Sequence, residues 1–203
     1  LHELAVKRIA RYLLATKDKG LILRPTPTLG LDMYVDADFA GRWHKEYSHL
    51  RDSVLSRTGY VITFCGCPIS WTSKLQTEIA LSTTESEYIA LSTATRDLLP
   101  LRRVLQDIIT HSFITLPKHS PITDTIHSST FDATSTIPSS RVYEDNTACI
   151  VLATTNTNFK PRTKRISLKF HHFQDQIRNG NLRILKVESA EIWADIFTKP
   201  LGR

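Results

Sequence analysis

Two short apolar segments of the sequence end at acidic residues, and this feature constrains the fold more than any other. Residues 31–35 precede Asp36, and Val142 and Tyr143 precede Glu144 and Asp145. The length of these segments and their Val and Tyr content are typical of β-strands. If the strands are parallel neighbours, Asp36 and Asp145 face each other at the edge of the sheet where open α/β sheets bind ligands. Their repulsion would favour a hard divalent cation such as Mg²⁺, which prefers carboxylate oxygens.

The hydrophobic pattern of the rest of the chain predicts a mixed α/β domain that begins with an antiparallel meander. Helical spacing extends over residues 2–19, and strand alternation over residues 58–64 and 69–73, which we expect to pair as a hairpin. The predicted order is one helix, three strands, a helix, an insertion, a strand, two helices, a strand and a last helix.

Three residues mark predicted features of the helices. Ser82 and Glu85 fit a capping box, which predicts a helix N-terminus. Pro100 lies within the apolar pattern of that helix, so we expect a kink or a break there. Ser189 is expected to cap the last helix.

Residues 111–140 differ in composition from the rest of the chain. Ser and Thr supply nearly half of this segment, which also contains three Pro and no Gly. Such a segment cannot bury enough apolar surface to order itself, so we predict a surface insertion.

Charge and cysteine content narrow the class of protein only moderately. The chain has 203 residues and a formal net charge of +6, which suits a polyanionic partner but is mild. The three Cys indicate neither a disulfide framework nor a zinc site, and a reducing compartment is expected. We find no apolar run of membrane-spanning length, so no membrane partner is expected.

Two further acids lie in apolar or small-residue surroundings. Glu87 follows the predicted cap of its helix, and Asp195 lies between Trp193-Ala194 and Ile196-Phe197. A solvated surface acid is the simpler interpretation of either residue alone. Together with Asp36 and Asp145 they favour one shared site.

Four blocks of sequence carry a family resemblance. In chain order they are YVDADFAG (34–41), SRTGYVITFCGCPISWTSKLQTEIALSTTESEYIAL (56–91), YEDNTACIVLA (143–153) and IWADIFTKPL (192–201). They resemble the ribonuclease H domain of copia-type LTR retrotransposon Pol polyproteins. The resemblance implies a ribonuclease H-like fold: a mixed five-stranded sheet, with an antiparallel meander and then parallel strands, and helices on both faces. Residues 1–30 would be the connecting helix and loop that follow a reverse transcriptase, and residues 31–203 the ribonuclease H domain.

The resemblance also implies a set of four catalytic and metal-binding acids, which are Asp36, Glu87, Asp145 and Asp195. We expect them to hold two Mg²⁺ ions about 3.5–4 Å apart, with Mn²⁺ as a substitute. Asp36 would bridge both ions, Glu87 and Asp145 would contact one, and Asp195 would contact the other.

The implied reaction is hydrolysis of the RNA strand of an RNA–DNA hybrid during reverse transcription. The reverse transcriptase of the parent polyprotein would be a partner, inside the cell, in a cytoplasmic virus-like particle or the nucleus. The alternative is an inactive or domesticated remnant that binds nucleic acid or protein without cleavage.

Contacts with nucleic acid are predicted at polar residues near the acids and in a later basic stretch. They are Ser73, Lys74, Gln76, Asn146, Thr147, Lys164 and Arg165. For the basic stretch, a solvated surface is the alternative. Trp71 and Trp193 are expected in the core, and Trp43 is expected to be exposed.

Overall fold

The computed structural model describes residues 2–26, 30–112, 137–155 and 171–199. The helices are α1 (His2–Thr16), α2 (Arg51–Val54), α3 (Thr83–Ser112), α4 (Thr147–Thr154), α5 (Gln174–Arg178) and α6 (Asp195–Thr198). The strands are β1 (Leu31–Asp38), β2 (Arg57–Phe64), β3 (Cys67–Leu75), β4 (Ser140–Glu144) and β5 (Leu182–Lys186). Single 3₁₀ turns occur at Lys45–Tyr47, His171–Phe173 and Ser189–Glu191.

The five strands form one mixed sheet in the order β3-β2-β1-β4-β5. β1 pairs with β2 and β2 with β3 in antiparallel directions, whereas β1 pairs with β4 and β4 with β5 in parallel directions. The predicted meander followed by parallel strands is therefore confirmed. Because Met33 lies opposite Val142 in the parallel pair, the C-terminal ends of β1 and β4 meet at one edge of the sheet.

Alternation along β1 separates the core from the opposite face of the sheet. Met33 and Val35 are fully buried and pack in one cluster with Tyr88 and Leu91 of α3. Asp32, Tyr34 and Asp36 occupy the alternate positions of the strand, so they point to the other side. α6 contacts β1, β2 and β3 on that second face, where Phe197 approaches Gly59.

The N-terminus of α3 has the predicted cap. The backbone N–H of Glu85 donates to Ser82 Oγ over 3.1 Å, and the Glu85 carboxylate accepts from the backbone N–H of Leu81 over 2.8 Å. These contacts satisfy donors that the first helical turn leaves unpaired.

Of the two outcomes predicted at Pro100, the break is wrong, because α3 continues through this residue to Ser112; the kink stays a prediction. Leu98 before it and Arg102 and Ile109 after it are all buried. Packing on both sides of the proline therefore holds the two halves in one helix, and this outweighs the lost backbone hydrogen bond.

Residues at both ends of the predicted 111–140 insertion belong to the described domain. α3 extends to Ser112, and Ile137 is buried against the domain, so the part outside the described residues is 113–136. The returning chain is fixed by the buried Arg102. Its guanidinium donates to the carbonyl oxygens of Pro138 (2.6 Å) and Ile137 (3.3 Å) and to Ser140 Oγ (3.2 Å).

The first helix is present as predicted, but it does not join the core. Its large apolar side chains are exposed, namely Leu4, Val6, Ile9, Tyr12, Leu13 and Leu14. On the same helix Lys7 Nζ pairs with Glu3 Oε1 at 2.6 Å. Within the described residues, none of the helices combines the length and apolarity needed to span a bilayer.

The last predicted helix is divided in two. Ser189–Glu191 forms a 3₁₀ turn, and α6 begins only at Asp195. Between them Ile192 has extended backbone angles, and its side chain and that of Ala194 are buried. Burial of these two residues therefore takes precedence over a continuous helix.

Candidate metal centre

Three of the four predicted acids converge where β1 and β4 end. Asp36 lies on β1, Glu87 in the second turn of α3, and Asp145 directly after β4. One carboxylate oxygen from each lies within 4.8 Å of the other two. Parallel pairing of β1 with β4 brings the aspartates together, and packing of α3 on the sheet adds the glutamate.

Glu87 is buried, and the oxygen Oε2 of its carboxylate has no hydrogen-bond partner among the described residues. Burial raises the pKa of Glu87, and the neighbouring carboxylates of Glu144, Asp36 and Asp145 raise it further. The backbone N–H of Ala37 opposes this with a hydrogen bond to the carboxylate. A buried, unpartnered oxygen within a set of carboxylate donors fits a hard divalent cation, since such ions take oxygen ligands.

Asp36 is 2% exposed and lies between the other acids. Burial raises its pKa, and so do the charges of Asp195 and Asp145. The hydroxyl of Thr198, which donates to Asp36 Oδ2, and the ammonium of Lys199 act in the opposite direction. Asp36 is thus the acid that senses both Asp145 and Asp195.

Asp195 lies beside the cluster and outside the group of three. It is the first residue of α6, and its Oδ1 accepts from Lys199 Nζ over 2.7 Å. Asp145 has a contact of its own, because its Oδ2 accepts from Ser189 Oγ over 2.6 Å. The segment that carries α6 therefore contributes an acid and a lysine, and also contacts Asp36 and Asp145.

Comparisons with known proteins identify relatives of the chain. The chain is 32% identical over 202 residues to the "Retrovirus-related Pol polyprotein from transposon RE2" of Arabidopsis thaliana. It is 33% identical, again over 202 residues, to that from transposon TNT 1-94 of Nicotiana tabacum. Both alignments cover 100% of this chain. The chain is related to copia-type transposon Pol polyproteins. It spans only 12% and 13% of the length of these two relatives.

A solved structure agrees on the fold. The LC11 ribonuclease H1 isolated from compost superposes with a TM-score of 0.50 at 16% identity, over 83% of this chain and 91% of that one. This confirms the ribonuclease H fold. No protein-family model matches the chain.

A further buried acid, Glu144, lies beside the group of three and is absent from the predicted set. Glu144 ends β4 and is fully buried. Its Oε1 accepts from the backbone N–H of Asn146 over 3.2 Å, and within the part of the chain that the structure describes its Oε2 has no partner. Burial raises its pKa, the Asn146 N–H lowers it, and the charges of Asp145 and Asp36 raise it. Strand alternation carried the signal, because Ser140, Val142 and Glu144 share the core face of β4.

Gln76 is corrected by the structure, which buries it inside the domain. Its Nε2 donates to Thr58 Oγ1 over 3.1 Å and to the carbonyl oxygen of Ser86 over 2.9 Å. The side chain links β2 to α3, so it is not available to contact nucleic acid as predicted.

Four of the other predicted nucleic-acid contacts lie within the described residues, and two do not. Ser73, Lys74 and Thr147 are exposed, whereas Asn146 is half-buried and caps α4, its Oδ1 accepting from the backbone N–H of Cys149 over 3.0 Å. Ser73 also donates to the carbonyl oxygen of Phe197 over 2.5 Å. The remaining two, Lys164 and Arg165, lie outside the described residues.

The predicted burial of two tryptophans is wrong. Trp71 is 57% and Trp193 is 49% exposed, because both lie on the sheet face opposite the core. Trp193 stacks on Tyr34 with ring centroids 4.7 Å apart, and Tyr34 stacks on Tyr143 at 4.6 Å. Trp43 is exposed, as predicted.

Proposed function

We propose that this chain hydrolyses the RNA strand of RNA–DNA hybrids during retrotransposon reverse transcription, with divalent cations as cofactors. The observation that carries the proposal is the convergence of Asp36, Glu87 and Asp145, with Asp195 beside them, on a ribonuclease H fold. The relationship to transposon Pol polyproteins supports the same context.

Asp36 is a common neighbour of the other predicted acids. Glu87 and Asp145 form the group of three with it, and Asp195 lies near enough to raise its pKa. These four acids would hold two Mg²⁺ ions, with Mn²⁺ as a substitute. When bound, the cations would lower the pKa of the attacking water and stabilise the charge that develops on the leaving 3′ oxygen.

The chain's own residues would hold this arrangement in place. Thr198 orients the Asp36 carboxylate through its hydroxyl, and Ser189 orients Asp145. The backbone N–H of Ala37 fixes Glu87. With these contacts in place, one carboxylate oxygen of each acid in the group of three lies within 4.8 Å of the other two, as a pre-organised cation site requires.

The substrate preference would come from the RNA strand. An RNA–DNA hybrid displays 2′-hydroxyls in a wide, shallow minor groove, and short polar side chains can contact them. We call the part of the molecule that carries Asp36, Glu87, Asp145 and Asp195 the acidic edge. Ser73, Lys74 and Thr147 are exposed near it, since Ser73 pairs with Gly59 opposite Asp36 and Thr147 follows Asp145 by two positions. They suit contacts with hydroxyls and phosphates.

α1 is the segment we assign to the partner reverse transcriptase. Its apolar side chains are exposed throughout, and the related polyproteins are about eightfold longer than this chain. An unpacked amphipathic helix of this kind suits a groove on a neighbouring domain. The site of action would be intracellular, in a virus-like particle or the nucleus.

The test is cleavage of a labelled RNA–DNA hybrid with Mg²⁺ and with EDTA, beside matched double-stranded DNA and RNA. We expect cleavage of the hybrid alone, only with the cation. Asp36→Asn should lower the rate by at least about a hundredfold, since a catalytic cation contributes several kcal/mol and each 1.36 kcal/mol is a factor of ten. Asp107→Asn, an exposed acid at the far end of α3, is the matched control and should keep the rate.

Two results would contradict the proposal. Equal rates for Asp36→Asn and the unmodified chain would remove the acids from the reaction. Hybrid binding without any cleavage would favour the inactive or domesticated remnant.

A further inference from the structure

One turn of α6 supplies both an acid and a base to the acidic edge. Asp195 and Lys199 are separated by four residues, and Lys199 Nζ donates to Asp195 Oδ1 over 2.7 Å. Thr198, between them, donates its hydroxyl to Asp36. The same short segment therefore pairs Asp195, which lies outside the group of three acids, with a lysine of its own.

The charge of Lys199 reaches beyond its direct partner. It opposes the rise in pKa of both Asp36 and Asp38. Partial burial lowers the pKa of Lys199 itself, but the hydrogen bond to Asp195 and the charges of Asp36, Asp195 and Asp145 outweigh this effect and raise it. A single ammonium thus partly neutralises several carboxylates at once.

The ion pair between Lys199 and Asp195 is partly exposed to solvent. The side chains of Lys199 and Asp195 are 50% and 31% exposed, and the lysine reaches its partner through a flexible aliphatic chain. The pair of Asp32 with Arg141, by contrast, is buried and has two parallel contacts from the guanidinium. A half-exposed, single contact costs little to open, because solvent screens it.

We propose that Lys199 is an internal counter-ion of the acidic edge, which competes with the divalent cation on the Asp195 side and must swing away before that cation binds. The proposal rests on the proposed function only in taking the acids as a cation site. It predicts two unequal cation affinities: a stronger one where Glu87 has its unpartnered oxygen, and a weaker one where Lys199 now lies.

The test is titration of the metal-free chain with Mg²⁺ by calorimetry, for the unmodified chain and three variants. Lys199→Met removes the ammonium but keeps much of the side-chain length, and it should bind the weaker ion at least about fivefold more tightly, since a unit charge at this range is a substantial repulsion. The gain should shrink as KCl is raised, because exposed charges are screened over about 10 Å at 0.1 M salt.

Two variants serve as controls. Lys199→Arg keeps the charge and should keep the weak affinity of the unmodified chain. Lys7→Met removes a lysine from another i,i+4 pair, the one with Glu3 on α1, and should change nothing. Circular dichroism verifies that each variant is folded.

The outcomes separate the two proposals. Mg²⁺-dependent hybrid cleavage by the unmodified chain, together with unchanged or weaker Mg²⁺ binding by Lys199→Met, would overturn the counter-ion role alone. Absence of Mg²⁺ binding in every variant would overturn both. Binding that is present only in Lys199→Met would support the counter-ion role and contradict activity of the unmodified chain.

Discussion

Asp32 and Asp36 lie four positions apart on β1 and point to the same face of the sheet, yet one is surrounded by positive charge and the other mainly by negative charge. Both are almost fully buried, at 3% and 2% exposure. Asp32 accepts from Arg141 Nε over 2.9 Å, from its Nη2 over 2.5 Å and from its backbone N–H over 3.2 Å. Asp36 accepts one hydrogen bond, from the hydroxyl of Thr198, and its charged neighbours are acids and Lys199.

The difference in charge compensation assigns different roles to the two aspartates of β1. A buried carboxylate that the chain neutralises with its own guanidinium is a structural element, since its charge is already compensated. A buried carboxylate among other acids lacks a full compensating charge, so it either keeps a proton or takes its compensation from a bound cation. The described residues give Asp36 just the partial compensation of Lys199.

The largest effect is expected when the compensated end is broken. Arg141→Met leaves Asp32 buried and unpaired, so the free energy of unfolding should fall by about 3–5 kcal/mol. Urea denaturation of the metal-free chain measures it. Mg²⁺ affinity should not change, and Arg103→Met, an exposed arginine on α3, should have little effect. A loss below about 1 kcal/mol would refute the view of Asp32 as a structural acid.

Removing charge from the uncompensated end should have the opposite sign. Glu87→Gln and Glu144→Gln each replace a buried acid that has an unpartnered oxygen, so each should raise the free energy of unfolding without metal by about 1–3 kcal/mol. Only Glu87→Gln should abolish the stabilisation by Mg²⁺, because Glu144 lies outside the group of three. Equal losses of Mg²⁺ stabilisation in the two variants would instead place Glu144 among the ligands.

The smallest single step is a pH dependence of the metal-free chain, which accumulates over several pH units. The pKa values of Glu87 and Glu144 are raised by folding, so the folded state holds more protons than the unfolded state above the ordinary carboxyl pKa. Stability should therefore be greatest below that ordinary value and fall as pH rises towards the raised values, by about 1 kcal/mol per pH unit for each extra proton. Thermal unfolding between about pH 5 and about pH 8 measures it.

The same experiment with Mg²⁺ sharpens the comparison. The cation binds the ionised carboxylates, so its stabilising effect should grow with pH and flatten the profile. A profile that is flat without Mg²⁺ would mean that folding does not raise the pKa values of these acids.

The sequence alone was sufficient for the parts of the site that depend on local pattern. Strand length and parallel neighbours brought Asp36 and Asp145 together, and the capping box located the start of the helix that carries Glu87. These features are encoded within a few residues each.

What the sequence did not reveal depends on tertiary contacts. Burial of Gln76 follows from its place between β2 and α3, and no local pattern indicates it. The i,i+4 spacing of Asp195 and Lys199 permits their pairing, but the spacing alone does not show that Lys199 also lies near Asp36. The break predicted at Pro100 does not occur, because packing of the residues on both sides outweighs the helix-breaking preference of proline.

The hydrogen bonds of Arg102 also bear on where two parallel strands begin. Its guanidinium donates to Ile137, Pro138 and Ser140 at the start of β4 and to Asn181 just before β5. One buried side chain of α3 therefore ties the first residues of both strands together. The position at which Asp145 leaves the far end of β4 thus depends in part on a helix residue at the opposite end of that strand.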